Sequence, residues 1–462
     1  MIFNPDLQRS LTGGSDTIIA LGTPPGRGAL SVIRLTGDGA IEIAARHISP
    51  WPINARKARL CTVHDGNRTL DQAIVIVYVG PQSFTGEDVV EISTHGGHVV
   101  PASVMTALIS SGAREALPGE FTRRAVLNGK LDIVQAEAIG DLVDAQSSAM
   151  QQAALNQLDG GLSSRIASLR ESILSLESLI AYDVDFPEED DGPISQERIV
   201  QSTDDLLSRL DLLLSTIPVG QIVRDGAIVV IAGEPNAGKS SLFNALLGES
   251  RAIVTETPGT TRDAIEGLIS AGRWPMRLID TAGLRESGDI VERLGIEISE
   301  RYVAHAHLLL ACGENEASLE RTKLAVSTMS SAPIIAVLTK SDLSADAELD
   351  CSESKPASLR VSVTTGDGLG LLQSEMESMV SRAHGELAPE VPVLTRARHV
   401  QAIEYARAEI WKFRTARVSE MLPAPIAAVH LRTASVALEG LIGAVSTDDV
   451  LDRLFSSFCV GK

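Results

Sequence analysis

The first part of the chain alternates short apolar runs with turns. The runs DTIIAL, LSVIRLTG, QAIVIVYVG and DVVEISTHG are rich in β-branched residues, and glycine or proline lies between them. Runs of this length and composition predict strands. The apolar spacing from Val99 to Ser111 predicts a helix among them. We therefore expect an α+β domain over residues 1–124.

A helical pattern begins after Phe121. Apolar residues then recur at intervals of three and four, which places them on one face of a helix. The clearest set is Leu162, Ile166, Leu169, Ile173, Leu176 and Ile180. Because this pattern is typical of helices packed in a bundle, we expect an all-α helical domain made of residues 125–220 and 386–462.

A third pattern separates these two helical parts. From Gly226 onwards, strand, glycine-rich loop and helix follow one another repeatedly, as in a parallel sheet with crossover helices. An inserted domain needs only that its two ends lie close together at the surface of its host. We therefore predict an inserted α/β domain over residues 221–385.

Composition narrows the class of protein. A chain of 462 residues exceeds one hydrophobic core and fits about three domains. With 44% hydrophobic and 22% charged residues, and with no apolar run of the length that a bilayer needs, we expect neither a membrane span nor a secretory signal. The net charge of -20 argues against a broad basic surface, so RNA would need a local basic patch. Four widely spaced cysteines indicate a reducing, cytoplasmic setting.

The strand AIVVIAG leads into a full match to the phosphate-binding loop, Gly233 to Ser240. Glycines in such a loop let backbone N–H groups surround phosphates, and a helix follows it. Lys239 is expected to reach the β and γ phosphates, and Ser240 to ligate Mg²⁺. The strand-loop-helix context makes this the most specific signal in the chain.

Two further segments complete a nucleotide switch. Asp280 follows the strand WPMRLI in the tetrapeptide DTAG, where a Mg²⁺-linked carboxylate and a glycine that senses the γ phosphate, here Gly283, belong. Thr260 and Thr261 lie in PGTTRD between the two motifs. We predict that this segment is a switch loop that closes over the γ phosphate and the metal.

Base specificity is predicted by AVLTKSD, which places Lys340 and Asp342 after an apolar strand. A carboxylate there accepts the N1–H and N2–H of guanine, which adenine does not offer. GTPases normally carry asparagine where this chain has Thr339, and a hydroxyl makes fewer hydrogen bonds than an amide. The last base-contacting loop, placed at Ser362-Val363-Thr364, lacks the usual Ser-Ala pair. We expect guanine specificity with weakened affinity.

The group that orients the attacking water is left open by the residues alone. Ras-like enzymes use a glutamine after DTAG, whereas this chain has Leu284, and Arg285, Glu286 and Glu292 are the candidates. The amide oxygen of Asn236, close to the phosphates, could hold a monovalent cation in place of an arginine finger. A hydrogen bond that stabilises the loop is the alternative role.

With these residues assembled, the chain resembles the family of bacterial tRNA-modifying GTPases called MnmE or TrmE along nearly its whole length. The resemblance is carried by DTIIALGTPPGRGALSVIRLTG, FTGEDVVEISTHGG, PGEFTRRAVLNGKLDIVQAEA, TPGTTRD, DTAGLRESGDIVERLGIE and the terminal CVGK. It implies a multidomain fold with an α+β folate-binding N-terminal domain, an all-α helical domain and an inserted α/β P-loop (Ras-like) GTPase domain.

The resemblance also implies a ligand and an assembly for the N-terminal domain. Members form homodimers through this domain, which binds 5-formyltetrahydrofolate or a related folate. The matching positions are Arg34, Glu91, Lys130 and Lys462. Glu91 would pair with the donor edge of the pterin, and the basic groups with the glutamate tail.

For the GTPase domain the resemblance implies that two such domains meet when K⁺ and GTP are bound. K⁺ would be held by Asn236, Thr255, Thr257 and Thr260, Mg²⁺ by Ser240 and Thr261, and Glu292 would orient the water, beside the catalytic Lys239 and Asp280. The full set predicted to bind GTP is Asn236, Ala237, Gly238, Lys239, Ser240, Ser241, Thr255, Glu256, Thr257, Pro258, Gly259, Thr260, Thr261, Asp280, Thr281, Ala282, Gly283, Thr339, Lys340, Ser341, Asp342, Ser362, Val363 and Thr364.

The reaction that the resemblance implies is modification of tRNA. A flavoprotein partner, MnmG (GidA), which carries the FAD, would act with this chain in a heterotetramer to place an aminomethyl-type group on C5 of the wobble uridine. Cys459 is a candidate nucleophile toward that uridine, or else a packed anchor for Lys462. A ribosome-assembly GTPase and a folate-dependent aminomethyltransferase regulated by GTP are the alternatives; the net charge of -20 disfavours the former.

Overall fold

The structure, a computed structural model, describes residues 16–185, 196–250, 266–280, 301–343, 358–385, 392–418, 423–443, 455–456 and 458–461. The chain divides into two compact units, Met1–Gly140 with Glu439–Lys462, and Asp141–Leu438. The first unit therefore joins the start of the chain to its end, and each unit is described by itself.

A seven-stranded sheet forms the centre of the first unit. Its strands are β1 (Ile18–Leu21), β2 (Leu30–Thr36), β3 (Ile48–Ser49), β4 (Arg59–Asp65), β5 (Arg68–Tyr78), β6 (Val89–His95) and β7 (Arg114–Glu115). Their order is β3-β4-β5-β6-β2-β1-β7, and every pair is antiparallel except β1 with β7. The four apolar runs became β1, β2, β5 and β6, whereas β3, β4 and β7 were not predicted.

One face of this sheet is covered by α1 (Ala40–Ala45) and α2 (Val99–Ser110). Because successive side chains of a strand point to opposite faces, Ile33, Val75 and Ile92 share one side, where all are fully buried in a core with residues of both helices. The opposite side carries Leu60 and Ile74, which are cross-strand partners and are 64% and 47% exposed. The sheet is thus packed on one side and open over part of the other.

The remaining helices of this region are α3 (Glu120–Leu127) and α4 (Ile133–Val143). A charge network, buried at Glu120 and Arg124, connects α3 to Asp16 before β1 and to Arg114 of β7. Arg124 lies 2.8 Å from Asp16 and 3.1 Å from Glu120, and Arg114 lies 2.6 Å from Glu120. Burial alone would raise the pKa of Glu120, but its bonds from Arg114 lower the pKa overall. The PGEFTRR motif thus serves packing in this structure.

Helices precede and follow the sheet of the second unit in the described part of the chain. They are α5 (Ser148–Leu158), α6 (Gly161–Asp185), α7 (Gln196–Leu214) and α8 (Ile217–Asp225) before it, and α12 (Ala397–Val418) after it, while α13 (Ala424–Ile442) runs on into the first unit. The six apolar residues predicted to share one face of a helix lie on α6, and none is more than 3% exposed. The helical pattern is confirmed.

A six-stranded sheet lies between those helices in the chain. Its elements are β8 (Ala227–Gly233), α9 (Lys239–Ser250), β9 (Glu266–Ala271), β10 (Trp274–Asp280), β11 (Leu308–Gly313), α10 (Glu316–Ser327), β12 (Ile334–Leu338), β13 (Leu359–Arg360) and α11 (Leu369–His384). The strand order is β13-β12-β11-β8-β10-β9. The sheet is not wholly parallel as expected, because the edge strand β9 runs antiparallel to β10. It is nonetheless an α/β domain with a central phosphate-loop strand.

One described stretch, 196–225, is long and apolar enough to cross a membrane by length and composition, although charged residues interrupt it and it contains no continuous apolar run of that length. This is weak evidence for a span, since a core helix passes the same test. The stretch contains α7, which buries Leu206, Leu210 and Leu213 and packs along α12.

Candidate functional site

The carboxyl ends of the parallel strands in the second unit carry the predicted nucleotide residues. β8 ends at Gly233, where the phosphate loop begins, and the neighbouring β10 ends at Asp280. On the other side of β8, strands β11 and β12 lead to Glu314 and Thr339. Ligands of parallel α/β sheets bind at this edge, so the fold gathers the separate motifs into one site.

Ser240 and Asp280 are in direct contact although they lie far apart in sequence. The Ser240 hydroxyl donates to Asp280 Oδ2 at 2.6 Å, and Asp280 is only 4% exposed. A hydroxyl and a carboxylate oxygen side by side are the hard oxygen ligands that Mg²⁺ prefers. The two residues therefore fit a magnesium site. Asp280 could orient the Ser240 hydroxyl toward the metal or bind the metal itself.

Contacts within the phosphate loop fix its conformation. Lys239 is 6% exposed and its ammonium donates to the backbone carbonyl of Glu234 at 2.8 Å. Gly238 has φ +75°, in the region that favours glycine, whereas Asn236 adopts φ 65° with a side chain. Such a conformation in a non-glycine residue stores strain at the site.

The TKSD segment contacts both the loop and the last base-contacting residue. Thr339, 4% exposed, donates its hydroxyl to the carbonyl of Ala237 at 2.8 Å. Lys340, with φ 55°, donates to the Asn236 carbonyl at 3.0 Å and also pairs with Glu314. The sequence predicts that Thr339 contacts the base, and in the structure its hydroxyl supports the phosphate loop.

Asp342 and Ser362 are brought together across two loops. Ser362, 1% exposed, donates its hydroxyl to Asp342 Oδ1 at 2.8 Å. Ser362 follows β13, and Asp342 lies in the short 3₁₀ turn after β12. The bond orients the carboxylate that is predicted to read guanine. Val363 packs partly buried against the main core, with Thr364 next to it in the same turn.

A second group of predicted residues lies on the open side of the seven-stranded sheet. Arg34 of β2 and Glu91 of β6 are register partners, and Arg34 Nε donates to Glu91 Oε1 at 2.8 Å. Tyr78, at the end of β5, is hydrogen-bonded to Glu91; burial first, and then the charge of Glu91, raises the pKa of Tyr78. These three residues form a half-buried polar cluster, which we call the Arg34 cluster.

The other predicted folate positions are distributed around that sheet. Lys130 donates to the carbonyl of Pro81 at 3.0 Å, in the loop after β5. Gly461, which precedes Lys462, lies against the end of β1: a Cβ on it would be 3.0 Å from the carbonyl oxygen of Leu21. Lys462 itself is outside the described residues. The Arg34 cluster is thus assembled, while Lys130 is engaged elsewhere.

Cys459 is exposed, and its carbonyl accepts a hydrogen bond from the Gly119 amide at 3.4 Å. Phe455 packs on Gly119, and Phe458 packs on Gly140. These aromatic contacts fasten the described end of the chain to the first unit, as an anchoring role requires. The thiol remains a candidate nucleophile by its exposure alone.

Two family models match the chain over adjoining parts. The model described as the GTP-binding protein TrmE N-terminus matches residues 17–130, and that described as the MnmE helical domain matches residues 133–459. Among similar proteins, the "tRNA modification GTPase MnmE" of Aquifex aeolicus (strain VF5) is 36% identical over 450 residues, 97% of this chain and 100% of the relative. That of Azoarcus sp. (strain BH72) is 39% identical over 452 residues, 97% and 98%. The chain belongs to the MnmE family.

Several predicted positions of this MnmE-family site lie outside the described residues. They are the switch positions Thr255, Glu256, Thr257, Pro258, Gly259, Thr260 and Thr261, the DTAG positions Thr281, Ala282 and Gly283, and the water-orienting candidates Arg285, Glu286 and Glu292. Their roles stay predictions. The described part of the nucleotide site comprises Asn236 to Ser241, Asp280, Thr339 to Asp342, and Ser362 to Thr364.

Sequence reasoning on this MnmE-family chain missed three residues that contact the predicted sites. Glu314 and Arg321 bind Lys340 and Glu234, respectively, and Tyr78 binds Glu91. Glu314 directly follows β11 and could have been found from the rule that strand ends form such sites. Tyr78 could not have been found in this way, because its contact with Glu91 depends on the pairing of β5 with β6.

Proposed function

We propose that this chain is a K⁺-stimulated GTPase that acts with the FAD-dependent partner MnmG (GidA). Together they add a (carboxymethyl)aminomethyl group to C5 of the wobble uridine of certain tRNAs, with a tetrahydrofolate as one-carbon donor. Membership of the MnmE family, whose relatives are named tRNA modification GTPases, supports this proposal. The contact between Ser240 and Asp280 at the phosphate loop is the structural observation that carries the GTPase part.

In this proposal each residue of the nucleotide site has a defined task. Lys239 leaves the Glu234 carbonyl for the β and γ phosphates, which offer it negative charge. Ser240, Thr261 and Asp280 hold Mg²⁺, which neutralises charge that develops on the phosphates. Asp342, oriented by Ser362, accepts the guanine donors. Hydrolysis then opens and closes the switch segments.

K⁺ stimulation is proposed for the same loop. Asn236 would supply an amide oxygen, with Thr255, Thr257 and Thr260 completing the set, and Glu292 would orient the attacking water. The left-handed backbone of Asn236, φ 65°, is supported by the Lys340 bond to its carbonyl, which keeps that residue in a fixed orientation. This bond holds the backbone from which the Asn236 amide would reach a cation beside the phosphates.

We further propose that the first unit binds the folate and forms the homodimer. The Arg34 cluster supplies a carboxylate for the pterin and a guanidinium for a glutamate tail, and the position of Gly461 beside β1 would bring Lys462 to the same end of the sheet. Leu60 and Ile74, exposed on the open side of that sheet, are the kind of apolar surface that a second copy would cover. The chain would work in the cytoplasm.

The decisive experiment is mass spectrometry of wobble nucleosides from cells that lack this protein. Cells that re-express the wild type, or an Asp280→Ala form that folds normally, provide the comparison. We expect C5 aminomethyl-type uridines to vanish without the protein and to return only with the form that can hold the metal. An unchanged nucleoside profile would refute the modification role and favour a ribosome-assembly GTPase.

A further inference from the structure

The phosphate loop of this chain carries an acidic side chain, Glu234, directly after Gly233. Arg321 of α10 forms a bidentate ion pair with that carboxylate: Nε donates to Oε1 at 2.8 Å and Nη2 donates to Oε2 at 3.2 Å. A fork of this kind fixes the direction of a carboxylate as well as its charge. The side chain of Glu234 is therefore held toward α10.

This ion pair contributes little to the stability of the fold. The side chains of Arg321 and Glu234 are 64% and 42% exposed, and pairs so open to water stabilise proteins weakly. The bond from Arg321 lowers the pKa of Glu234, and the pKa of Arg321 is raised in return. Both groups thus stay charged at neutral pH, and the consequence of the pair lies in local charge and position.

The backbone of Glu234 links this pair to the lysine of the loop. Its carbonyl accepts the Lys239 ammonium at 2.8 Å, while its side chain is bound by Arg321. The loop is held independently at Asn236, whose carbonyl accepts from Lys340. Arg321 therefore binds the side chain of the same residue whose carbonyl accepts the Lys239 ammonium.

We propose that Arg321 is a positioning residue for GTP: it neutralises the Glu234 carboxylate and fixes the carbonyl from which Lys239 moves to the phosphates. The proposal rests on the proposed GTPase function. Without Arg321, the negative charge of Glu234 would repel the nucleotide, and it would repel GTP more than GDP because GTP carries one more negative charge. Salt would reduce that repulsion because both groups are open to solvent.

The test compares four variants of the full chain by equilibrium binding of GDP and a non-hydrolysable GTP analogue, at low and high ionic strength with K⁺ constant. They are Arg321→Ala, Glu234→Gln, the double variant, and Lys323→Ala as matched control. Lys323 lies on the same helix and pairs with Glu320 at 2.7 Å, so its loss removes the same charge without touching the loop.

We expect Arg321→Ala to weaken binding of the GTP analogue about fivefold and of GDP about twofold at low salt, with a smaller effect at high salt. Glu234→Gln should strengthen GTP binding about twofold, and the double variant should return to within about twofold of wild type.

If Arg321 only stabilised the loop conformation, both single variants would weaken nucleotide binding equally at low and at high ionic strength, and that result would overturn the proposal. Equal affinities for Arg321→Ala and Lys323→Ala would overturn it too. A wild-type chain that bound neither nucleotide would instead refute the proposed GTPase.

Discussion

The two sheets of this protein collect charged side chains in different ways. At the carboxyl edge of the six-stranded sheet, Asp280 and Lys340 stand in short motifs that directly follow strands. On the seven-stranded sheet, Arg34 and Glu91 lie in mid-strand, 57 residues apart, and meet only through the register of β2 with β6. The nucleotide site is therefore encoded by short local motifs, whereas the Arg34 cluster forms only when β2 pairs with β6.

This difference predicts that the two sites can be disabled separately. Glu91→Gln keeps the size of the side chain but removes the charge that binds Arg34, so affinity for 5-formyltetrahydrofolate should fall at least about tenfold, as for the loss of a charge-assisted hydrogen bond. GDP binding should be unchanged. Isothermal titration of both ligands to the same preparation measures the two effects side by side.

The matched control for that variant is Glu42→Gln. Glu42 of α1 pairs at 2.5 Å with Arg46, which directly follows that helix, in the same unit but on the packed side of the sheet. It should leave both affinities as in wild type. Folate binding by Glu91→Gln as tight as by the control would show that the Arg34 cluster is not the folate site.

The sequence predicted the nucleotide edge more completely than the folate surface because local motifs can be read from the sequence, while strand pairing cannot. The phosphate loop, Asp280 and Asp342 could be placed because each motif carries its own strand and turn context. Tyr78 could not, because its contact with Glu91 depends on which strands become neighbours. Strand β4, RLCTVHD, was missed although its alternating residues and the Asp65-Gly66 turn before β5 are strand and hairpin signals.

The direction of the edge strand β9 was also missed because it depends on how the strands pair. β9 and β10 form a hairpin through a turn at Gly272, φ +58°, and a hairpin reverses direction where a crossover helix would not. The sequence of that turn, AGRW, is equally compatible with a loop between parallel strands, so it does not predict the strand direction. Local pattern therefore identified the strand β10 but not the direction of its neighbour.

Within the nucleotide edge, Thr339 allows a finer test of local prediction. Its hydroxyl already supports the loop through Ala237, so Thr339→Asn should keep that support and add an amide for the base. We expect GDP affinity to rise about threefold, as for one added hydrogen bond. Thr328→Asn, at the exposed end of α10, is the control, and competition with a fluorescent GDP measures the ratio. Unchanged affinity in a normally folded Thr339→Asn protein would contradict the prediction.

The smallest expected effect lies at the opposite edge of the same sheet, away from the nucleotide. His307 accepts a hydrogen bond from the Ile228 amide on Nδ1 at 2.9 Å, and its ring stands 5.4 Å from that of His384. Burial first, and then the charges of His384 and Arg277, lower the pKa of His307 below its ordinary value of 6.5. A proton on Nδ1 would also remove the acceptor of the Ile228 bond.

The sign of the pH dependence follows from that lowered pKa. The unfolded chain binds the proton more readily than the folded chain, so the contribution of His307 to stability is complete above pH 6.5 and is lost as the pH falls below it. His307→Asn keeps an acceptor that does not titrate. Its melting temperature should therefore fall less than that of wild type between pH 7.5 and 5.5, by about 2 °C. His305→Asn, an exposed neighbour, controls for the loss of a surface histidine. If both variants lost stability equally over this pH range, the hydrogen bond from the Ile228 amide would not be the titrating element.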